Sequence, residues 1–271
     1  MGNPADPTLL KEGILLRGGH RGGEHQWWCD FIHFRGGFYG DYVFHQYLKN
    51  ATPQKEQLDH TKINTNAALF ILSFCNCCDL FATIGNTQLN LEGNISSFSP
   101  FIEFNLPTNG ARLSIETSSD FSWTVGLRAT LLEKYGFLLG VEGQYFLSTP
   151  PVKKIKYEDI ASSYITDTAN GLGLIYREWQ LGLGISYPLR CLIPYAGIKW
   201  SQVSIGWENR LPSHLLLIED AAIITIHNLN SAKRFGYVIG ATIASCKKAS
   251  LNVEGRFRDQ KALYISSQVR F

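Results

Sequence analysis

Residues Phe121-Ser122-Trp123-Thr124-Val125-Gly126-Leu127-Arg128-Ala129-Thr130-Leu131 decide the fold. Phe121, Trp123, Val125, Leu127, Ala129 and Leu131 alternate with Ser122, Thr124, Gly126, Arg128 and Thr130, so an extended chain here has one apolar and one polar face. The same period of two returns at Trp179, Leu181, Leu183, Ile185 and Tyr187, and again at Leu251, Val253 and Phe257. It also runs through Phe235, Tyr237, Ile239, Ala241 and Ile243, and through Leu263, Ile265, Val269 and Phe271. No helical period of comparable strength competes with these stripes.

A soluble β-sandwich alternates too, but its solvent face carries long charged side chains. Here the polar face is made of Gly, Ser, Thr and Gln with isolated charges, and aromatic residues gather near strand ends: Trp179 and Tyr187 bracket one stripe, and Tyr195 and Trp200 lie near the ends of the next. A bilayer demands a closed ladder of backbone hydrogen bonds, an apolar outer band and aromatic girdles. The reading is therefore an all-β, transmembrane antiparallel β-barrel. Composition agrees. Of 271 residues, 18% are charged and 45% hydrophobic, with 25 Gly, 6 Trp, 12 Tyr and 16 Phe, a make-up that excludes disorder. The net charge of +2 excludes a nucleic-acid binder driven by bulk charge. The longest apolar run, Ala67 to Phe74, is far short of the ~18 residues of a membrane helix.

Both chain ends of such a barrel face the periplasm, so its strand number is even. Strands are expected near 30–48, 67–75, 78–90, 99–106, 111–117, 121–132, 137–148, 176–189, 193–207, 211–218, 221–228, 233–245, 249–258 and 261–271. This makes about 14, with 12 or 16 as alternatives. Short periplasmic turns fall at Asn76-Cys77, Pro107 to Gly110, Glu133 to Gly136, Arg190 to Leu192 and Cys246 to Lys248, and longer extracellular loops at 49–66 and 149–175. Residues 1–28 are assigned to an N-terminal periplasmic segment and 29–271 to the barrel. Met1 to Pro7 has neither a basic nor an apolar leader region, so a mature form with an added start residue is expected. The last strand closes on Phe271, in register with the apolar face, which resembles the C-terminal strand read by the bacterial barrel-insertion machinery.

Catalytic and metal motifs are weak. Cys75-Asn76-Cys77-Cys78 has no second ligand pair at suitable spacing for a metal. The seven scattered histidines come with no GxSxG elbow, and the Gly-rich run Arg17 to Gly23 lacks the GK[ST] ending of a phosphate loop. Neither an enzyme nor a cofactor is expected. The inward charges are more informative. Alternation points Arg35, Arg128, Lys199, Arg256, Arg258 and Arg270 into the lumen with Asp41, Glu142, Glu178 and Glu254. They are the pore-lining candidates, and six basic against four acidic groups predict a weak anion preference.

The chain resembles the chlamydial major outer membrane porins. The likeness is carried by GNPADP at its start, WCDFIHFRGGFYGDYVF (28–44), CDLFATIGN (78–86), DFSWTVGLRATL (120–131), YREWQLGLGISYPL (176–189), IPYAGIKWS (193–201) and VEGRFRDQKALYISSQVRF (253–271), in collinear order. Its connecting segments are shorter, as in a shorter paralogue or relative. The resemblance implies a porin passing small hydrophilic solutes by diffusion, set in outer-membrane lipid as a homotrimer. The alternative is a plugged barrel acting as an envelope structural protein or adhesin. In the expected topology Cys29, Cys75, Cys77, Cys78, Cys191 and Cys246 all cluster at the periplasmic rim. An oxidising compartment permits disulfides there, between neighbouring turns, between subunits or to other proteins. The resemblance implies partners among the periplasmic cysteine-rich envelope proteins.

Overall fold

A computed structural model describes residues 32–50, 58–74, 78–94, 112–158, 163–167, 172–208, 215–218, 222–225, 228–245 and 249–270. The strands are β1 (Ile32–Gln46), β2 (Leu48–Asn50), β3 (His60–Phe74), β4 (Cys78–Asn94), β5 (Arg112–Thr117), β6 (Asp120–Lys134), β7 (Phe137–Ser148), β8 (Val152–Glu158), β9 (Ser163–Asp167), β10 (Gly173–Ser186), β11 (Leu192–Glu208), β12 (Leu215–Ile218), β13 (Ala222–Thr225), β14 (Leu229–Ser231), β15 (Phe235–Ser245), β16 (Ala249–Phe257) and β17 (Gln260–Arg270). There is no helix among the described residues. Ten of the strands close a ring in the order β3-β1-β17-β16-β15-β11-β10-β7-β6-β4, and β4 pairs back onto β3. Every pairing in the ring is antiparallel.

The wall thus has ten strands where about 14 were expected. The difference lies in the short stretches. Residues 99–106 are outside the described residues. The described part of 111–117 is β5, while the strands described within 211–218 and 221–228 are β12 and β13, a separate two-stranded hairpin. A membrane-crossing strand needs ~9–11 residues, and these have 4 to 6. Conversely, β3 begins at His60, inside the stretch expected to be loop, because Thr61, Ile63 and Thr65 face inward there. The segment 1–28 lies outside the described residues.

The outward faces carry the apolar stripes. Trp179, Leu181, Leu183, Ile185 and Tyr187 are all exposed along β10, and Phe235, Tyr237, Ile239 and Ile243 along β15. At ~3.3 Å per residue and a tilt near 40°, the β10 stripe covers about 20 Å of height, close to the apolar band of bacterial outer-membrane barrels. Trp179 lies tilted against Tyr145, which meets Trp123 edge-on, and Tyr187 packs against Phe137 at the other rim. These are two aromatic girdles.

At the end where β1 begins and β17 finishes, called the terminus end below, β6–β7 turn through Tyr135-Gly136, both with positive φ (54° and 80°). Glycine suits the second position, where a Cβ would sit 3.2 Å from the Tyr187 ring. At the opposite end the wall bends over itself. β5 leads into β6 and β8 follows β7; β5 pairs with β4 on one side and with β8 on the other. Above the tight β16–β17 turn, β2 pairs with β14, which pairs with β11. Their inner faces bury Leu89 and Leu91 of β4, Leu113 and Ile115 of β5, and Val152 and Ile155 of β8 in one apolar cluster across the mouth.

Candidate functional site

Below that cap the interior is polar, and register explains which side chains meet. In the ladder Asp79 pairs with Arg128, and Arg128 with Glu142, so three charges from β4, β6 and β7 stand side by side. Arg35 of β1 reaches across to donate to Asp79 and, at 3.1 Å, to Ser73 Oγ. Arg128 Nη2 donates to Asp79 Oδ2 at 3.3 Å, and its Nη1 lies 3.9 Å from Glu142 Oε2. Asp79 is wholly buried, so one carboxylate serves two guanidinium groups out of contact with bulk water.

One layer further in, Arg256 of β16 donates to Asp41 at 2.9 Å and to Glu254 at 2.7 Å, with its guanidinium 5.3 Å from the Tyr264 ring centre. Tyr39 OH donates to Asp41 Oδ2, and Tyr195 OH reaches Glu254 Oε2 at 2.8 Å or Asn252 Oδ1 at 2.9 Å. The third layer, beneath the apolar cap, joins Lys199 to Asp259 at 2.8 Å, with Ser201 Oγ donating to the same carboxylate. Glu178 accepts from Tyr176 OH at 2.7 Å and Gln180 Nε2 at 2.6 Å, and Gln144 Nε2 donates to Gln180. Between the first two layers is a cavity of about 20 Å³ with a mixed lining that includes Arg128 and Glu142, Gln144, and the apolar Leu69 and Phe81. That is room for one water-sized occupant.

Of the sequence candidates, the interior contains Arg35, Asp41, Arg128, Glu142, Glu178, Lys199, Glu254 and Arg256, all buried. Arg258 is a correction. It sits on the Arg258-Asp259 turn with φ 82°, points outward and donates to Tyr237 OH at 3.1 Å. The turn resets the alternation, so its neighbour Asp259 goes inside instead. The Arg270 backbone pairs with Arg35, but its side chain and Phe271 lie outside what is described. Asp79 and Asp259 escaped the sequence reading because both adjoin turns, where the direction of the next side chain depends on the turn itself. Among the described residues the interior therefore holds six carboxylates against four basic groups, which reverses the sign expected from sequence.

Cys191 is exposed on the β10–β11 turn and Cys78 opens β4, both at the terminus end. Cys29, Cys75, Cys77 and Cys246 lie outside the described residues. No group of three metal-ligating side chains occurs among the described residues.

A family model described as Chlamydia major outer membrane protein matches residues 1–60 and 158–214. A major outer membrane porin of Chlamydia pneumoniae is 28% identical over 364 aligned residues, covering 100% of this chain and 94% of that protein. The serovar L3 major outer membrane porin of Chlamydia trachomatis is 27% identical over 379, with the same coverage. Spreading 271 residues over alignments of that length means that the relatives carry inserted segments. Among solved structures, an outer membrane channel from Pseudomonas putida F1 superposes with a TM-score of 0.40 at 11% identity, covering 93% of this chain and 100% of that one.

Proposed function

We propose that this chain, 28% identical along its whole length to a major outer membrane porin of Chlamydia pneumoniae, is an outer-membrane porin that passes small hydrophilic solutes and ions by passive diffusion. The observation that carries the reading is the charge buried inside the ring. Three charged layers run from Arg35 and Asp79 at the terminus end, taken as periplasmic, to Lys199 and Asp259 under the loops. A barrel with no transport role fills its core with apolar side chains more cheaply than with buried ion pairs.

The same geometry limits the passage. Interiors of about eight strands are just filled by side chains, whereas 16–18 strands leave an aqueous channel. Ten strands with interlocked charges therefore support a narrow path for small ions. The apolar cap made by β4, β5 and β8 favours a second reading, a plugged barrel serving as envelope structure or adhesin. Reconstitution separates the two. Small single-channel steps in planar bilayers and leakage of ions from liposomes support the porin; tight liposomes and a silent bilayer support the plugged barrel.

A disulfide-linked place in the envelope belongs to the same proposal. The exposed thiol of Cys191 is presented on a short turn at the periplasmic rim, where a periplasmic cysteine-rich protein or a second subunit can reach it. High-mass complexes that dissolve on thiol reduction support this. Identical gel mobility with and without reductant refutes it. A homotrimer set in outer-membrane lipid and assembled by the barrel-insertion machinery completes the proposal, and mass measurement in mild detergent tests it.

A further inference from the structure

At the loop end, the outer face of the wall carries its basic groups on one side. On β15 the exposed apolar stripe begins at Phe235, and Lys233 and Arg234 come immediately before it. On β16 the stripe finishes at Phe257 and Arg258 follows; Lys261 is exposed at the start of β17, and on β1 His45 follows the exposed Phe44. These four strands are neighbours in the ring, and His45 stands opposite Lys261 in the ladder, so the five basic side chains form one arc. Elsewhere on the same rim the charges are mixed: Asp120 precedes Phe121 on β6, Arg177 is exposed ahead of Trp179 on β10, and neutral Gln202 follows Trp200 on β11.

The arc is held in place by rings rather than by carboxylates. None of Lys233, Arg234, Arg258 and Lys261 forms an ion pair among the described residues. Lys233 Nζ lies 3.8 Å from the centre of the Tyr47 ring, and Arg258 Nη1 donates to Tyr237 OH at 3.1 Å. Tyr47 meets the His45 ring edge-on at 4.4 Å, and the buried Nδ1 of His45 has no hydrogen-bond partner among the described residues. On its other side His45 faces His60, at 5.5 Å between ring centres, and the carboxylate of Asp59. An aromatic face positions a cation without cancelling its charge. The arc therefore presents positive charge and N–H donors outward, toward an anion that the fold itself does not supply.

Position selects the anion. Next in line toward the membrane band are the exposed side chains of Phe44, Phe235, Tyr237, Ile239 and Phe257. A soluble anion engages the charges alone, whereas a lipid uses both parts, its acyl chains on the apolar stripe and its phosphates on the basic groups. The outer leaflet of a bacterial outer membrane is built of glycolipid that bears phosphates on its sugar headgroup. We propose that the arc of Lys233, Arg234, Arg258, Lys261 and His45 is a lipid site, which seats the phosphates of this glycolipid while its chains lie along β15 and β16. The site rests on the outer-membrane placement with the loop end outward, and not on an open pore.

The test titrates the full chain, folded in a neutral detergent, with diphosphoryl lipid A and reads the bound lipid by native mass spectrometry. Lipid A is expected to be retained in preference to phosphatidylcholine, with an affinity that falls as NaCl rises. K233Q/R234Q/K261Q is expected to weaken binding by roughly 100-fold, since each Lys or Arg beside an anionic headgroup contributes about fivefold. R177Q, on β10 away from the arc, leaves it unchanged. Circular dichroism and heat-dependent gel mobility establish that the variants are folded, and K261Q alone, expected to weaken binding about fivefold, replaces the triple variant if that one does not fold. Lipid A binding that the substitutions do not alter, or equal retention of phosphatidylcholine, overturns the site. Displacement of lipid A by millimolar inorganic phosphate assigns the arc to a free anion and overturns the lipid. A silent bilayer with intact lipid A binding removes the porin reading while retaining the site.

Discussion

Asp79→Asn is the sharpest test of whether the interior is a packed ionic network or a hydrated conduit. Asp79 is fully buried and accepts from both Arg35 and Arg128, so the substitution removes the shared anion and leaves two interior guanidinium groups. Ser73 Oγ, 3.1 Å from Arg35, and Glu142, 3.9 Å from Arg128, are weaker partners than the carboxylate each guanidinium loses. Breaking a buried pair costs about 3–5 kcal/mol, because the surviving charge stays desolvated. An exposed pair costs only about 0–1 kcal/mol. The assay is urea unfolding of the barrel from lipid vesicles, followed by tryptophan fluorescence, to which the exposed Trp179 on the outer face contributes. The double variant Asp79→Asn/Arg128→Gln is expected to cost less than the sum of the single changes by about 0.5–3 kcal/mol, since the second change removes a charge that the first has stranded. A loss below about 1 kcal/mol for Asp79→Asn, with additive behaviour in the pair, refutes the packed network. The side chains would then be screened by water, as in a wide pore.

Two further outcomes test the wall. Leu183→Arg, midway between the girdle residues Trp179 and Tyr187, is expected to destabilise the folded barrel by about 2–4 kcal/mol, whereas Gln202→Arg, opposite Trp179 on β11, costs about 0–1 kcal/mol; equal costs in vesicle unfolding would misplace the membrane band. Gly240 pairs with Tyr195, and a Cβ there would sit 2.5 Å from the phenol, so Gly240→Val is expected to push Tyr195 off Glu254 and Asn252. The cost is about 2–3 kcal/mol for two buried hydrogen-bonding groups left unsatisfied, and unchanged stability by the same assay would contradict the close packing.

The strands that cross the apolar band were legible because lipid imposes the same rule on every residue pair. Phe121 to Leu131 and Trp179 to Tyr187 keep an apolar face regardless of what fills the lumen, and both became wall strands. The rule lapses beyond the band. The first half of β3 presents His60, Lys62, Asn64 and Asn66 outward, so no apolar outer stripe marks it and it read as loop. β5 and β8 have an apolar stripe, Leu113 and Ile115 on one, Val152 and Ile155 on the other, but it faces in. Nothing in their own residues distinguishes a lid over the mouth from a stretch of lipid-facing wall.

The interior network was legible only in its parts. Arg128 and Glu142 flank the Tyr135-Gly136 turn, and a register shift between Thr130 and Leu132 brings them opposite each other. A hairpin counted without that bulge would place them one position apart, on opposite faces. Asp79 is 44 residues from Arg35, and Asp41 is 215 from Arg256, pairings that exist only once the ring has closed. The sign of the lumen is more sensitive still. At Arg258-Asp259 a single residue of turn decides which of two opposite charges goes inside. Together with Asp79, that choice turns an expected excess of basic groups into an excess of carboxylates among the described residues, so the charge lining such a barrel depends on the parity of its turns as much as on the composition of its strands.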